Sequence, residues 1–286
     1  MKLYTTDRGI AREAADGQLE LLSIDAADLG ALLAADPTLE SARSARVTAT
    51  LPSDAVRLLA PVLQPGKVIG IGINYTSHVD ETREMLERSG TKVPDVPVFF
   101  IAPGSSVVGP ADPIVLPRVA PDSVDYEIEL AVVIGRGGSH IAESDAMDHV
   151  AGYTVSNDVS ARDLQRQAMS TPLFELSHAK GMDSFKPLGP ALVTIDEFTE
   201  PLDLHLETKV NGEVRQDART TELIHSVARC IARITEFMRL DPGDVICTGS
   251  PAGVGVFMGK FLRPGDVIEM TIEGVGTLRT DIVAAG

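Results

Sequence analysis

Two glutamates, Glu127 and Glu129, are spaced so that both could bind one cation. They alternate with Tyr126, Ile128 and Leu130, and in a β-strand residues i and i+2 face the same side. The two carboxylates would then share a face, about 6.6 Å apart along the backbone, with the apolar side chains behind them. Burying two such carboxylates without a cation is costly. The pattern predicts either a solvated face, the commoner case for an isolated Glu-x-Glu, or a cation site.

Asp158 is the candidate for a third oxygen ligand. It stands between a predicted strand over Val150–Ser156 and a predicted helix. Neighbouring strands lie about 4.8 Å apart, so an acid at the end of a strand beside Glu127 and Glu129 would complete a three-carboxylate oxygen site. The alternative role for an aspartate at this point is the N-cap of the following helix.

His78, Glu81 and Lys180 are candidates for the other chemical groups of such a site. His78 and Glu81 are three residues apart in a predicted helix that runs towards Ser89, where a carboxylate can orient an imidazole and raise its basicity. A surface pair without function is the simpler interpretation of these two residues alone. Lys180 falls in a predicted irregular loop over His178–Pro190, where it would be solvated or would add positive charge beside a metal-bound anion.

The predicted elements form a mixed α/β, β-rich chain with two unequal parts. Residues 1–62 are predicted to form a small N-terminal α+β domain with an Ala/Leu-rich helix over Ala26–Ala35. A stretch over 59–66 with two prolines and a glycine is the predicted linker. The main domain, residues 63–286, contains many short strands separated by turns.

Composition limits the partners. Against 41 acidic residues stand 25 basic ones, and the net charge of −16 argues against nucleic acid or an anionic membrane and favours a small-molecule partner. Cys230 and Cys247 form neither a disulfide framework nor a zinc motif. The charged N-terminus and the lack of long apolar runs give no signal peptide or transmembrane segment, so a cytoplasmic protein is predicted.

Three familiar motifs fail on spacing. Gly70-Ile71-Gly72 is followed by Tyr75 where a dinucleotide-binding fingerprint needs its third glycine. Ser250 has Thr248 two residues before it, so it is not a nucleophile elbow. The loop Thr248–Gly255 also lacks the Gly-Lys-Ser/Thr of a phosphate-binding loop, although its glycines suit close approach of the backbone to a ligand.

Together, several motifs resemble those of the fumarylacetoacetate hydrolase superfamily over essentially all of residues 67–286. Each is weak alone, but their order and spacing are specific. The motifs are Gly72-Ile73-Asn74-Tyr75 with His78 and Glu81, Asp125-Tyr126-Glu127-Ile128-Glu129-Leu130, Asn157-Asp158 with Ser160-Ala161-Arg162-Asp163, Lys180 with Asp183 and Phe185, Asn211-Gly212, and Thr248-Gly249-Ser250-Pro251-Ala252-Gly253-Val254-Gly255.

The resemblance implies a β-roll of mixed sheets, usually a homodimer, with residues 1–60 similar to the N-terminal domain of longer bacterial members. It implies Mg²⁺ or Mn²⁺ held by Glu127, Glu129 and Asp158, and a lid carrying His78 and Glu81. With Lys180, these two are the predicted catalytic residues. Substrate binding is predicted for six residues in or beside the motifs: Asn74, Tyr75, Arg162, Gln165, Thr248 and Gly249.

Two departures from the family pattern concern the substrate more than the metal. The family often has lysine in its Phe-x-Lys-Pro segment, whereas this chain has Ala102 in Phe100-Ile101-Ala102-Pro103. Ser250 stands where threonine is common. Neither position belongs to the three carboxylates.

The leading hypothesis is hydrolysis of a carbon–carbon bond in an acylpyruvate-like or other β-diketo (2-oxo) acid. His78, polarised by Glu81, would take a proton from the attacking water, and the metal and Lys180 would stabilise the leaving enolate. The same groups stabilise an enolate without water, so the alternative is a 2-hydroxyhepta-2,4-diene-1,7-dioate isomerase or an oxaloacetate decarboxylase. A non-catalytic protein that binds a carboxylic acid is the third hypothesis.

Overall fold

The computed structural model describes residues 1–90, 92–171 and 176–286 and has the mixed α/β, strand-rich architecture predicted from the sequence. The strands are β1 (Lys2–Thr6), β2 (Gly9–Glu13), β3 (Leu19–Leu22), β4 (Val47–Leu51), β5 (Val68–Gly72), β6 (Val98–Ala102), β7 (Val107–Val108), β8 (Ile114–Val115), β9 (Val124–Asp125), β10 (Ile128–Ile134), β11 (Val150–Asn157), β12 (Ser160–Ala161), β13 (Lys186–Thr194), β14 (His205–Val210), β15 (Glu213–Arg219), β16 (Val245–Cys247), β17 (Val267–Ile272) and β18 (Gly276–Val283).

The α-helices are short except for the one that follows β5. They are α1 (Leu29–Ala35), α2 (Glu40–Ser44), α3 (Thr76–Ser89), α4 (Arg162–Met169), α5 (Ser177–Lys180), α6 (Val227–Thr235) and α7 (Gly255–Met258). Short 3₁₀ helices cover Ser53–Ala55, Gly104–Ser106, Glu143–His149, Ile195–Glu197 and Thr220–Glu222. None of the helices in the described ranges combines the length and apolar character needed to cross a bilayer.

The strands form a large mixed sheet and a smaller antiparallel one. The large sheet has the order β4-β3-β2-β1-β13-β11-β10-β16-β5-β6, with β7 added parallel to β13. In its centre β10 pairs antiparallel with β11 and β16, whereas β16 pairs parallel with β5. A second sheet has the order β15-β14-β17-β18-β8, and β9 and β12 form a separate pair. The mixed pairing matches the expected mixed sheets.

Strand β10 lies inside the large sheet, and its two faces contact different parts of the protein. All seven of its residues are buried, as expected for a strand covered on both sides. Ile128 and Leu130 face the main core, which they share with residues of the second sheet such as Leu206 and Ile268. Glu129 lies on the opposite face, because side chains alternate along a strand. The prediction that Ile128 and Leu130 are buried behind the acidic face is confirmed.

The N-terminal residues extend the large sheet. Strand β1 pairs with β13, with Leu3 opposite Leu192. Helix α1 packs in an apolar cluster that also contains Val133 and Leu192. The N-terminal part is therefore joined to the rest by strand pairing and by a shared core, and the boundary at residue 62 stays a prediction.

Two predicted elements differ from the structure around the site. The alternating stretch that contains Glu127 and Glu129 is not one continuous strand: Asp125 belongs to β9, which pairs with β12, and β10 begins only at Ile128. The predicted irregular loop His178–Pro190 contains the single turn α5 and the start of β13. Pro187 and Pro190 predicted a loop because proline cannot donate to a strand ladder.

Candidate metal and acid-base site

The three predicted metal ligands meet at one end of the β10–β11 pair. Ile128 lies opposite Asn157, and the Asp158 N–H donates to the Glu127 carbonyl oxygen at 2.9 Å. One carboxylate oxygen of each of Glu127, Glu129 and Asp158 lies within 4.8 Å of the others. All three residues are buried, with at most 6% of their surface exposed. The solvated-face interpretation is therefore wrong, and Asp158 is not a helix cap, because Ala161 precedes α4.

Three cations surround two of the carboxylates. The Lys180 Nζ donates to Glu127 Oε2 and to Asp158 Oδ2, both at 2.7 Å. Arg162 donates to Glu127 Oε1 at 2.5 Å, and Lys186 donates to Asp158 Oδ1. The interpretation of Lys180 as a solvated loop lysine is wrong, since only 5% of it is exposed.

These ion pairs fix the protonation states of Glu127 and Lys180. Burial raises the pKa of Glu127, but the charges of Lys180 and Arg162 outweigh it and hold that pKa well below its usual range. Burial alone would lower the pKa of Lys180, whereas Asp158 and Glu127 raise it above its usual range. Glu127 is therefore a carboxylate, and Lys180 an ammonium.

Glu129 differs from its two neighbours. In the described part of the chain, its carboxylate forms no salt bridge and accepts a hydrogen bond from the Gly249 N–H at 3.0 Å. Burial, followed by the negative charges of Asp158 and Glu127, raises its pKa well above the usual value. Three buried carboxylates are hard oxygen ligands of the kind that Mg²⁺ and Mn²⁺ prefer. The residues fit such an ion, which would bring the positive charge that Glu129 lacks.

The predicted acid-base pair lies on α3. The Glu81 Oε2 is 3.0 Å from His78 Nδ1, and the Glu81 Oε1 accepts the Gly253 N–H at 2.9 Å. Only 15% of each side chain is exposed, so this is not a solvated surface pair. The His78 ring packs edge-on against Phe257, with ring centroids 6.2 Å apart. Since Nδ1 is engaged, Nε2 is the nitrogen available to a ligand.

A cavity of about 340 Å³ connects these groups. Its polar lining includes the predicted site residues His78, Glu127, Glu129, Asp158, Arg162, Gln165 and Lys180. Its apolar lining includes Ile71, Ile73, Val98, Phe100, Val256 and Phe257. The cavity thus has a charged floor and an apolar wall, as expected for a pocket that binds a small organic acid.

Four predicted substrate-binding residues do not line this cavity. The Asn74 amide donates to the carbonyl oxygens of His225 and Thr248 and accepts the His225 N–H. The Thr248 hydroxyl donates to a β10 carbonyl oxygen, and Gly249 donates to Glu129. Tyr75 is fully buried. The structure gives these residues contacts that hold the protein together, and their role in substrate binding stays a prediction.

Sequence reasoning missed two charged residues of the site, Lys186 and Asp125. The Asp125 carboxylate accepts the Arg162 Nε–H at 2.8 Å and the N–H groups of Gly255 and Val256 at 2.7 and 2.9 Å. Asp125 thereby fixes the arginine that reaches Glu127. The position of Asp125 beside the two glutamates indicated that it could belong to the site. The residues that it contacts lie far away in the sequence, so its role was not predicted.

Replacing Asp125 by alanine is expected to lower the free energy of unfolding by about 3–5 kcal/mol, because it leaves the buried Arg162 without one of its two carboxylate partners. Urea unfolding measures the loss. The matched control is Asp203→Ala, which removes an exposed partner of Arg219 and should cost less than about 1 kcal/mol. Equal losses in the two variants would contradict the structural role of Asp125.

Comparisons with known proteins identify a family model and several relatives that match this chain. Residues 67–283 match the family model described as Fumarylacetoacetate (FAA) hydrolase C-terminal. The chain is 43% identical over 235 residues to human oxaloacetate tautomerase FAHD2A, mitochondrial, and the alignment covers 82% of this chain and 71% of that protein.

Solved structures of relatives cover the whole chain, and two of them have named activities that differ. The 2-hydroxyhepta-2,4-diene-1,7-dioate isomerase from Mycobacterium marinum is 35% identical, with a TM-score of 0.78 over 100% of this chain and 99% of that one. The maleylpyruvate hydrolase from Sphingobium sp. SYK-6, in complex with manganese(II) and pyruvate, is 28% identical, with a TM-score of 0.80 over 100% of both chains. The fold implied by the resemblance is therefore confirmed along the full length.

Proposed function

Because the chain belongs to the fumarylacetoacetate hydrolase family and is an enzyme of that family, we propose that it is a divalent-metal-dependent tautomerase or isomerase of a 2-oxo acid. One observation carries the proposal: a histidine held by a carboxylate lines the same cavity as three buried carboxylates. The similarity to a tautomerase and an isomerase favours this activity over the hydrolysis expected first from the sequence.

Glu127, Glu129 and Asp158 would hold the metal. When bound, a divalent ion polarises the oxo oxygen of the substrate and adds positive charge where negative charge develops. The Sphingobium relative, whose structure contains manganese(II) and pyruvate, supports both the choice of Mg²⁺ or Mn²⁺ and a 2-oxo acid as ligand.

His78 would move the proton. Tautomerisation removes a proton from the carbon beside the oxo group and places one on the oxygen, or the reverse, and histidine is the side chain that exchanges protons most readily near neutral pH. Glu81 holds the imidazole through Nδ1, so Nε2 carries the proton in both directions. The net number of protons on the substrate is unchanged.

Lys180 and Arg162 would bind the charge of the substrate and would not exchange protons. The carboxylates around them outweigh burial and raise the pKa of both groups above their usual ranges. Both therefore stay cationic and attract the acid group, while the apolar wall of the cavity contacts the remainder. The small organic acid stays part of the proposal, as do a homodimer and a cytoplasmic location.

The second candidate is hydrolysis of a carbon–carbon bond in an acylpyruvate-like acid. It is favoured by the similarity to the maleylpyruvate hydrolase and would use the same His78 to deprotonate water. Oxaloacetate decarboxylation is the remaining alternative. Since the relatives are enzymes, a non-catalytic acid-binding protein is not proposed.

Proton NMR in D₂O with Mg²⁺, which is diamagnetic, separates these activities, using oxaloacetate and an acylpyruvate as substrates. A tautomerase incorporates deuterium beside the oxo group and leaves the carbon skeleton intact. A hydrolase yields two shorter acids, and a decarboxylase yields pyruvate and CO₂. Reactions with metal but without protein give the spontaneous rate. No acceleration with any 2-oxo acid, despite measurable metal binding, would overturn the proposed class of reaction.

A further inference from the structure

Lys186 is a buried cation that the proposed chemistry does not use. It begins β13, is 1% exposed and does not belong to the lining of the cavity. Its Nζ donates to Asp158 Oδ1 and to the Lys180 carbonyl oxygen, both at 2.5 Å, and to the Phe185 carbonyl oxygen at 3.3 Å. An ammonium has three N–H donors, so each has an acceptor.

These contacts join the two parts of the cation site that are least supported by regular structure. Asp158 lies just beyond the end of β11, and Lys180 ends the single helical turn α5. One turn of helix is not stable by itself. By bridging the Asp158 carboxylate and the Lys180 carbonyl oxygen, Lys186 fixes the distance between Asp158 and the base of the Lys180 side chain.

The bridge also determines which way the Asp158 carboxylate faces. Lys186 binds Oδ1, and the Lys180 Nζ binds Oδ2. A carboxylate held at both oxygens by two lysines cannot rotate freely. Partners that orient a metal ligand from outside its first shell typically alter metal affinity or activity by about 10–100-fold.

We propose that Lys186 is a positioning residue, which holds Asp158 and Lys180 in the arrangement that binds a divalent ion. The proposal rests on the proposed metal site. The direction in which metal affinity changes when Lys186 is removed distinguishes two roles. A lysine that acted only as a counter-charge would repel a divalent cation. Removing a mere counter-charge would tighten metal binding, whereas removing a positioning group weakens it.

The test is calorimetric titration of the metal-free protein with Mn²⁺ and with Mg²⁺, which needs no substrate. Lys186→Met is expected to bind both ions about 10–100-fold more weakly than the wild type. The control is Lys67→Met: Lys67 is partly buried and pairs with Asp244 at 2.7 Å, which is not one of the three predicted metal ligands, and its variant should bind metal like the wild type. Unchanged or tighter binding in Lys186→Met overturns the proposal.

The outcomes separate failure of this inference from failure of the proposed function. A wild-type protein that binds neither ion overturns the metal site itself, whereas metal binding that is equal in wild type and Lys186→Met overturns only the role of Lys186. Lys186→Gln, which keeps two N–H donors, is the second variant, and circular dichroism checks both folds. If neither variant folds, Lys186 is required for folding and its assignment as a positioning residue is overturned.

Discussion

Replacing Glu129 by glutamine is expected to remove metal binding while leaving the metal-free protein at least as stable as the wild type. Glu129 forms no salt bridge in the described ranges, and burial with the neighbouring Asp158 and Glu127 already raises its pKa. A neutral amide still accepts the Gly249 N–H but is a much weaker metal ligand. The loss of affinity should exceed the roughly 10–100-fold that follows removal of an outer partner.

The matched variant is Glu127→Gln, which removes a ligand of the same type from the same cluster. Glu127 is paired with Lys180 and Arg162, so its loss removes one of two carboxylate partners from each of these buried cations and should cost about 3–5 kcal/mol. Calorimetry with Mg²⁺ and urea unfolding of the metal-free proteins compare the two variants. Wild-type metal affinity in Glu129→Gln would contradict the site, and a similar loss of stability in both variants would contradict the charge distribution.

The carboxylates were predictable because their arrangement depends on local geometry. Alternation along a strand is enough to place Glu127 and Glu129 on one side. Asp158 follows from the pairing of two consecutive strands, which is the commonest arrangement in sheets. Even the error in the start of β10 did not matter, since Glu127 precedes the strand and still faces the cluster.

The cations of the site, Lys180, Arg162 and Lys186, were less predictable because the tertiary fold determines which carboxylates they contact. Lys186 lies 28 residues from Asp158, within a segment whose prolines and glycine predicted a loop. The sequence gives no reason to prefer a buried lysine there, since lysine is rarely buried. The family pattern drew attention to the absent lysine at Ala102, whereas the structure shows an ammonium contributed by β13.

The loop after β16 contacts both the predicted metal ligands and the acid-base pair. The Gly249 N–H donates to Glu129, a predicted metal ligand, and the Gly253 N–H donates to Glu81, which holds His78. The Gly255 N–H donates to Asp125. A Cβ at Gly253 would lie 2.0 Å from the Arg215 carbonyl oxygen, and φ there is +97°. Only glycine fits, which explains in physical terms why the motif needs glycine at this point.

Replacing His78 by alanine is expected to lower turnover by about 10²–10⁴-fold, the usual contribution of a positioned acid or base. Metal affinity should stay that of the wild type, because His78 contacts Glu81 and Phe257 and, within the described part of the chain, forms no hydrogen bond to the three carboxylates. The measurement is the rate of deuterium incorporation into the 2-oxo acid, together with calorimetric metal titration of the same preparation.

A matched control exists on the protein surface. His205 pairs with Asp217 at 2.7 Å on an exposed part of β14, so His205→Ala removes a similar histidine–carboxylate pair without touching the cavity and should leave turnover unchanged. Glu81→Gln should fall between the two, because it keeps a hydrogen-bonding partner for His78 but removes the negative charge beside an imidazole that becomes positively charged when it takes up a proton. Wild-type turnover in His78→Ala would assign the proton transfer to another group, and weakened metal binding in that variant would mean that His78 supports the metal site.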